Sequence, residues 1–112
     1  MEDKIISDLK ESYGITFNEI KVIQPAEFAL QQNYPNPANP STTIEFDLPK
    51  SSQVTLKIYN ILGEEVAILV SGQLAAGSYT YEWDGSNVAS GVYLYRLETE
   101  GYIETRKMIL MR

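Results

Sequence analysis

A strict alternation of apolar and polar side chains after Ser41 limits most strongly what this chain can fold into. Every second residue is apolar in the segments 43–48, 54–58, 79–83 and 93–97. Successive side chains on a β-strand point to opposite faces, so each segment has one apolar face, and the opposite face is polar except at Leu94. Glycine or proline separates the segments at intervals of about ten residues, a spacing typical of sandwiches and barrels. With further strands over 64–70 and 102–111, the sequence predicts an all-β, Ig-like antiparallel β-sandwich of about six to eight short strands.

Composition excludes several kinds of site. The chain has 112 residues, with 15 acidic and 9 basic side chains and neither histidine nor cysteine. An imidazole base, a thiolate nucleophile, a Cys/His zinc site and a disulfide are therefore all impossible. The net charge of −6 argues against binding to nucleic acid or to an anionic membrane. We therefore expect no cofactor, no metal, no nucleic-acid partner and no small-molecule substrate.

The residues before the alternation differ from the rest of the chain. Apolar side chains fall at helical spacing up to Tyr13, and Gly14 follows where a helix commonly stops. Alternation over 15–22 suggests an extended segment. Residues 1–27 are therefore predicted to be a linker or the end of a preceding domain, with one short helix. The alternative is an accessory element that docks on the sandwich. The first thirty residues contain no signal-peptide pattern, and no run of 18 apolar residues occurs.

The segment 33–40, here called the entry loop, precedes the first long alternating segment. Its three prolines, Pro35, Pro37 and Pro40, remove three backbone donors and restrict the backbone of the residues before them. Asparagine side chains such as Asn33 can close turns by bonding nearby backbone groups. We therefore predict a stiff, ordered loop.

Two groups of oxygen-bearing side chains could support chemistry. Glu64 and Glu65, or Glu98 and Glu100, could form an acid/base pair of the kind that hydrolyses glycosides. Acidic residues near strand ends more often discourage edge-to-edge pairing, and a catalytic pair needs a deep cleft. Residues 84–87, Asp-Gly-Ser-Asn, lack the other carboxylates of a calcium-binding loop and favour an Asx turn. No catalytic residue is predicted.

Five aromatic residues on two segments could stack against sugars or could pack inside the fold. They are Tyr79, Tyr81, Trp83, Tyr93 and Tyr95. All five share the phase of the apolar positions, and aromatic side chains pack well across sheets. Core packing is favoured, and a carbohydrate-binding module remains an alternative.

The glycines and the basic end of the chain complete the set of unusual positions. Six glycines are interpreted as positions needing a positive φ angle or a tight turn: Gly63, Gly72, Gly77, Gly85, Gly91 and Gly101. Arg106, Lys107 and Arg112 cluster at the end of an otherwise acidic chain. They could protect an edge strand from aggregation, or form an accessible basic tail that a partner recognises.

Several motifs in a fixed order resemble one known family. They are Leu30–Pro37, Asn39–Ile44, Ile58–Val66, Ala76-Gly77, Trp83-Asp84-Gly85, Ser90–Leu97 and Lys107-Met108. Together they resemble the type A C-terminal sorting domain of the type IX secretion system, over residues 28–112. That family occurs in Bacteroidetes and is related to the Ig-like module of flagellar hook-capping proteins.

The resemblance implies a non-enzymatic secretion signal rather than a reactive site. Such a domain follows a cargo in the same polypeptide, is recognised by outer-membrane secretion machinery, and is removed by a processing protease. The cut would lie within residues 1–28, and the cargo would pass through the periplasm to the cell surface. Because export requires a signal peptide, Met1 is expected to begin a fragment of a longer protein. A monomer is expected.

The resemblance also assigns individual residues. Gly91 and Tyr93 match the family's late Gly-x-Tyr, and Lys107 and Arg112, with Arg106 beside them, match its basic ending. The structural motif positions are Asn33, Pro35, Pro37, Pro40, Gly63, Gly77, Trp83, Asp84 and Gly85. Ala38 stands where the family usually has phenylalanine, so we expect the entry loop to pack more loosely.

Two further expectations concern binding. The sorting function implies contact by strand addition, or by docking at an edge strand near the basic terminus. The alternative from the related family is a structural assembly module of the flagellar hook-cap type, which would self-associate.

Overall fold

The computed structural model describes residues 24–112, which form two antiparallel β-sheets. The strands are β1 (Ala29–Leu30), β2 (Ser41–Leu48), β3 (Ser52–Asn60), β4 (Glu65–Leu74), β5 (Gly77–Asp84), β6 (Gly91–Glu98) and β7 (Ile103–Leu110). One sheet has the order β1-β2-β5 and the other β4-β3-β6-β7. The prediction of an all-β, antiparallel fold is confirmed.

Two predictions about the N-terminal region are not addressed by this structure. The short helix ending near Gly14 and the extended segment 15–22 lie outside the described residues. The domain boundary between residues 27 and 28 stays a prediction. In the described part of the chain, no helix is long and apolar enough to cross a bilayer.

The three-stranded sheet is organised around β2. Its register with β5 runs without interruption from Ser41 opposite Asp84 to Leu48 opposite Gly77. On the other side the pairing begins with β1 and continues irregularly, with the Tyr34 and Thr43 backbones exchanging two hydrogen bonds of 2.9 Å. The two-residue strand β1 was not predicted, because it is too short to show a periodic pattern.

In the four-stranded sheet, β3 pairs with both β4 and β6, and β7 lies at the edge. β4 begins one residue later than the predicted strand and continues to Leu74, because its last residues pair with the start of β3, where Ser52 faces Leu74. The register shifts between Leu56 and Lys57 and again between Ile58 and Tyr59. Such irregularities bend a strand locally and increase its twist.

The two sheets share one hydrophobic core, as a β-sandwich requires. Buried side chains occupy alternate positions of β2, β3 and β6: Ile44, Phe46, Leu48, Val54, Leu56, Ile58, Tyr93, Tyr95 and Leu97. In β7 the buried residues are Met108 and Leu110, whereas Ile103 is 61% exposed. Ile103 is an odd number of positions from both, so it lies on the opposite face of the strand.

The five aromatic residues pack inside or at the margin of this core. Phe46 lies between the rings of Tyr79 and Tyr81, with centroids 5.5 and 5.9 Å away. The Trp83 and Tyr93 rings meet edge to face at 5.7 Å. The prediction of core packing is confirmed: Trp83, Tyr93 and Tyr95 are buried, and Tyr79 and Tyr81 are half-buried against the core.

The entry loop is ordered, as predicted. The bonds Tyr34-Pro35, Asn36-Pro37 and Asn39-Pro40 are all cis. Asn33 is buried, and its Nδ2 donates to Thr42 Oγ1 at 2.9 Å and to the Pro35 carbonyl at 3.2 Å. The asparagine therefore satisfies groups of the loop and of β2 at once.

The expectation of loose packing at Ala38 is wrong. Ala38 is completely buried, and its N–H donates to the Ile109 carbonyl at 2.8 Å. Its own carbonyl accepts from the Met111 N–H, also at 2.8 Å. The backbone anchors the loop to β7, so a large side chain is not needed at this position.

Two glycines show different reasons for lacking a side chain. Gly63 has φ +85° in the β3–β4 turn, as the interpretation of a positive φ requires. Gly85 has no such angle; a Cβ there would lie 2.9 Å from both Leu110 Cδ atoms and 3.2 Å from Trp83. Close packing explains Gly85, which corrects the interpretation by turn geometry alone.

Candidate recognition site

The residues matching the Gly-x-Tyr motif lie at the start of β6, opposite the end of β7. Gly91 faces Leu110 and Tyr93 faces Met108. Gly91 is exposed, whereas Tyr93 is buried and donates its hydroxyl to the Ala89 carbonyl at 2.6 Å. This resembles the tyrosine corner of Ig-like sandwiches, in which a tyrosine bonds backbone a few residues upstream. In the folded domain Tyr93 stabilises the corner and is not available to a partner.

Arg106 differs from the other basic residues near the end of the chain. Its Nε donates to the Leu30 carbonyl of β1 at 2.6 Å, and its Nη2 pairs with Glu104 Oε2 at 3.2 Å. β1 and β7 belong to different sheets, so the arginine joins the two at their margin. Its role in this structure is to hold the sandwich together.

Tyr95 reinforces the same margin. Its hydroxyl donates to the Gln31 carbonyl at 2.6 Å and accepts from the Asn33 N–H at 2.8 Å. Burial raises the pKa of Tyr95, which keeps the hydroxyl a donor.

Tyr102 stacks on Phe28 with ring centroids 5.0 Å apart. The pKa of Tyr102 is raised to about 12 by burial and by its hydrogen bond to the nearby Glu104.

Of the three basic residues near the end of the chain, Lys107 and Arg112 are the two that are exposed. Lys107 is exposed on the outer face of β7, opposite Leu94 of β6. Arg112 is exposed but anchored: its Nη1 donates to the Ser86 carbonyl at 2.7 Å and its N–H to Ser90 Oγ at 3.0 Å. The basic end is therefore a positioned surface rather than a loose tail.

The outer edge of β7 near this end is already occupied. Gln32 Nε2 donates to the Lys107 carbonyl at 2.9 Å, and the Ile109 N–H donates to Asn36 Oδ1 at 3.1 Å. Together with the two backbone bonds of Ala38, these contacts use the groups that an added strand would need. The expected strand addition at this edge would require the entry loop to leave, so the structure favours docking on a face.

Two of the four acidic candidates, Glu64 and Glu65, have ordinary structural partners. Glu64 Oε1 accepts from Asn60 Nδ2 at 2.7 Å, and Glu65 pairs with Lys57 at 3.2 Å. Glu98 and Glu100 line an open depression of about 340 Å³, not a deep cleft.

The segment 84–87 forms the expected Asx turn. The Ser86 N–H donates to Asp84 Oδ1 at 2.9 Å, so the aspartate side chain closes the loop after β5. Among residues 24–112, no three acidic side chains gather as a metal ion would require.

One feature that sequence reasoning passed over lies in the β3–β4 turn. Ile61 and Leu62 are 71% and 78% exposed. The sequence analysis treated this segment only as part of a motif and a turn. The available signal was two aliphatic residues at the centre of an Asn-x-x-Gly turn, where polar residues are usual.

Comparison with known families gives one match. A family model described as "Secretion system C-terminal sorting domain" matches residues 32–111. The matched range begins just before the entry loop and ends after β7. Searches of curated proteins and of solved structures found no match. Since the match covers most of the chain and the predicted all-β fold is present, the chain belongs to the C-terminal sorting domains of the type IX secretion system.

Proposed function

We propose that this domain directs a cargo protein, joined ahead of it in the same polypeptide, through the type IX secretion system to the cell surface. The cargo would cross the periplasm first, and a processing protease would cut within residues 1–28. The domain itself would act as an address and not as an enzyme, in keeping with a family of sorting signals that is not catalytic.

The observation that carries this proposal is that the family match covers six of the seven strands of the folded unit. Residues 32–111 span the entry loop and strands β2 to β7, and β1 lies just before them. The two ends of this range are tied together, since Ala38 bonds both Ile109 and Met111. The matched sequence thus forms nearly all of one closed structural unit, which supports recognition of a folded domain.

A reporter fusion tests the proposal. Residues 24–112 are placed behind a periplasmic reporter in a bacterium that has the secretion system. We expect protease-accessible reporter at the surface, and retention in the periplasm when the domain is omitted. A fusion that stays in the periplasm, or that reaches the surface in a strain lacking the system, would overturn the proposal.

Deleting residues 102–112 from the fusion would test the proposal less well than omitting the whole domain, because the deletion removes all of β7. Met108 and Leu110 are fully buried, so the truncated domain is expected to unfold. A better control is Leu110→Asp, which places a charge in the core without shortening the chain. We expect this variant to lose both its cooperative unfolding transition and its export.

The structure gives the carbohydrate-binding alternative no support. The rings that could have formed a platform face the core, and Phe46 fills the space between two of them. Titration with oligosaccharides, followed by tryptophan fluorescence, is expected to leave the Trp83 signal unchanged.

A further inference from the structure

The exposed apolar side chains of the described residues are not evenly spread. Eight large ones are exposed, and five of these belong to segments that meet at one end of the sandwich. This is the end where β3 and β7 finish and β6 begins. We call the five the end patch: Ile61, Leu62, Val92, Ile109 and Met111. Single exposed apolar residues are common on proteins, but a group of this kind marks a binding surface.

The register places members of the end patch side by side. Val92 of β6 lies directly opposite Ile109 of β7, on the outer face of the four-stranded sheet. Asn60 faces Tyr93 at the end of β3, so the next residue, Ile61, begins the turn beside Val92. Directly opposed side chains on one face of a sheet have Cβ atoms about 5 Å apart. The register therefore places Ile61, Val92 and Ile109 in neighbouring positions across the end of the sheet.

The turn that carries Ile61 and Leu62 is rigid. Asn60 Oδ1 accepts from the N–H groups of Leu62 and Glu64, at 2.9 and 3.0 Å. The Gly63 N–H donates to the Asn60 carbonyl at 3.0 Å. These contacts define the backbone without using either aliphatic side chain. Because Ile61 and Leu62 bury little area in this domain, the fold does not explain why they are apolar.

Cations border the end patch. Lys107 lies two residues before Ile109 on the same face of β7, and Arg112 directly follows Met111. The ion pairs within residues 24–112 are Lys57–Glu65 and Glu104–Arg106, so neither cation pairs with a carboxylate there. The surface therefore combines exposed aliphatic groups with two positive charges. The carboxylates that follow the turn, Glu64 and Glu65, are bonded to Asn60 Nδ2 and to Lys57.

From this combination we infer that the end patch is the face by which the secretion machinery binds the domain. The complementary surface on the machinery would be an apolar depression bordered by carboxylates. The inference rests on the proposed sorting function and adds to it which surface is recognised. Ile61 and Leu62 would enter the depression, and Lys107 and Arg112 would face the acidic border.

Two other occupants fit the patch less well. A second copy of the domain would bring the same cations against one another, at a cost from like-charge repulsion. An anionic membrane would attract Lys107 and Arg112 but repel a chain whose net charge is −6. Membrane-binding surfaces usually carry a larger cluster of basic residues.

The test measures surface display of the reporter fused to residues 24–112. Ile61→Asp/Leu62→Asp is compared with Ile103→Asp, an exposed isoleucine on the same sheet near its opposite end. We expect the double variant to lower the surface fraction at least about tenfold, as loss of a central apolar contact does in interfaces. Ile103→Asp should export at the wild-type level. Both purified domains should melt within about 4 °C of wild type, since exposed substitutions change stability little.

Charge is tested in the same assay. Lys107→Glu should reduce display, and Lys50→Glu, an exposed lysine in the β2–β3 turn near the opposite end, should not. Wild-type display of both the double variant and Lys107→Glu would overturn the inference while leaving the sorting function intact. Failure of the wild-type fusion itself would instead overturn the proposed function. Dimers of the wild-type domain in sedimentation, or binding to vesicles containing phosphatidylglycerol, would also overturn the inference if the double variant abolished them.

Discussion

The outer faces of the two sheets differ far more than their inner faces do. The three-stranded sheet exposes four carboxylates among hydroxyl groups, on residues Ser41, Thr43, Glu45, Asp47, Ser78, Thr80, Glu82 and Asp84. This face is polar and acidic along β2 and β5, and the exposed ring of Tyr34, which pairs with Thr43, lies beside it. The polar side chains interact locally, as where Ser78 Oγ donates to Asp47 Oδ1 at 2.8 Å.

The four-stranded sheet presents a mixed outer face. β6 and β7 place aliphatic and basic side chains there: Val92, Leu94, Arg96, Ile103, Lys107 and Ile109. The Arg96 guanidinium lies over the Tyr59 ring, 5.2 Å from its centroid. Inside the sandwich both sheets contribute aliphatic and aromatic side chains to one core, so folding alone does not require the outer faces to differ. The mixed outer face of the four-stranded sheet is what the inferred recognition surface would require.

The largest effect on stability should come from an inner-face residue. Phe46→Ala removes a fully buried ring that two tyrosines contact, and we expect the free energy of unfolding to fall by about 3–5 kcal/mol. The matched control is Glu45→Ala, one residue away on the outer face, with an expected change within about 0.5 kcal/mol. Urea denaturation of both variants measures the contrast, and equal losses would refute the assignment of faces.

A smaller loss is expected where the sheets are joined. Tyr95→Phe leaves the buried N–H of Asn33 without its acceptor, which should cost about 2 kcal/mol. Tyr81→Phe keeps the stacking on Phe46 and should be nearly neutral. If urea denaturation shows no difference between the two, the Tyr95 hydroxyl does not hold the entry loop.

Gly85→Ala examines packing at the end of the sandwich. The added methyl would press on Leu110 and Trp83, and we expect a loss of about 1–2 kcal/mol. Gly101→Ala is the control, since a Cβ there meets nothing within 4 Å. Equal melting temperatures of the two variants in thermal unfolding would contradict the packing argument.

The smallest effect is a dependence on alkaline pH. Tyr102 has a pKa of about 12 in the folded domain, against 10.0 for an ordinary tyrosine. The unfolded chain releases this proton first, so the contribution to stability is present below pH 10 and is lost as pH rises towards about 12. In Tyr102→Phe, unfolding free energy measured across this range should decline less steeply. An identical decline would show that Tyr102 is not the group responsible.

The features that depend on local periodicity could be predicted from the sequence. Alternation identified the inward residues of β2, β3, β5 and β6, and with them the core position of the aromatic rings. In β7 the same rule places Ile103 on the face opposite Met108 and Leu110.

Contacts between distant segments could not be predicted in this way. Ala38 and Ile109 are far apart in the chain, and their backbone bond leaves no mark on either residue's side chain. For the same reason the contacts of Arg106 with β1 and of Arg112 with Ser86 could not be predicted. In sequence, both look like Lys107, simply as basic residues near the end of the chain. The end patch was also hidden, because it is assembled from a turn and two strands.

Surface display of one reporter carrying substitutions on either outer face tests the central claim most directly. Glu45→Lys/Glu82→Lys changes exposed acids on the three-stranded sheet, and Ile61→Asp/Leu62→Asp changes the end patch. We predict wild-type display for the first and retention in the periplasm for the second, with both domains folded. Retention of the first and display of the second would contradict the claim that the four-stranded side is the recognised one.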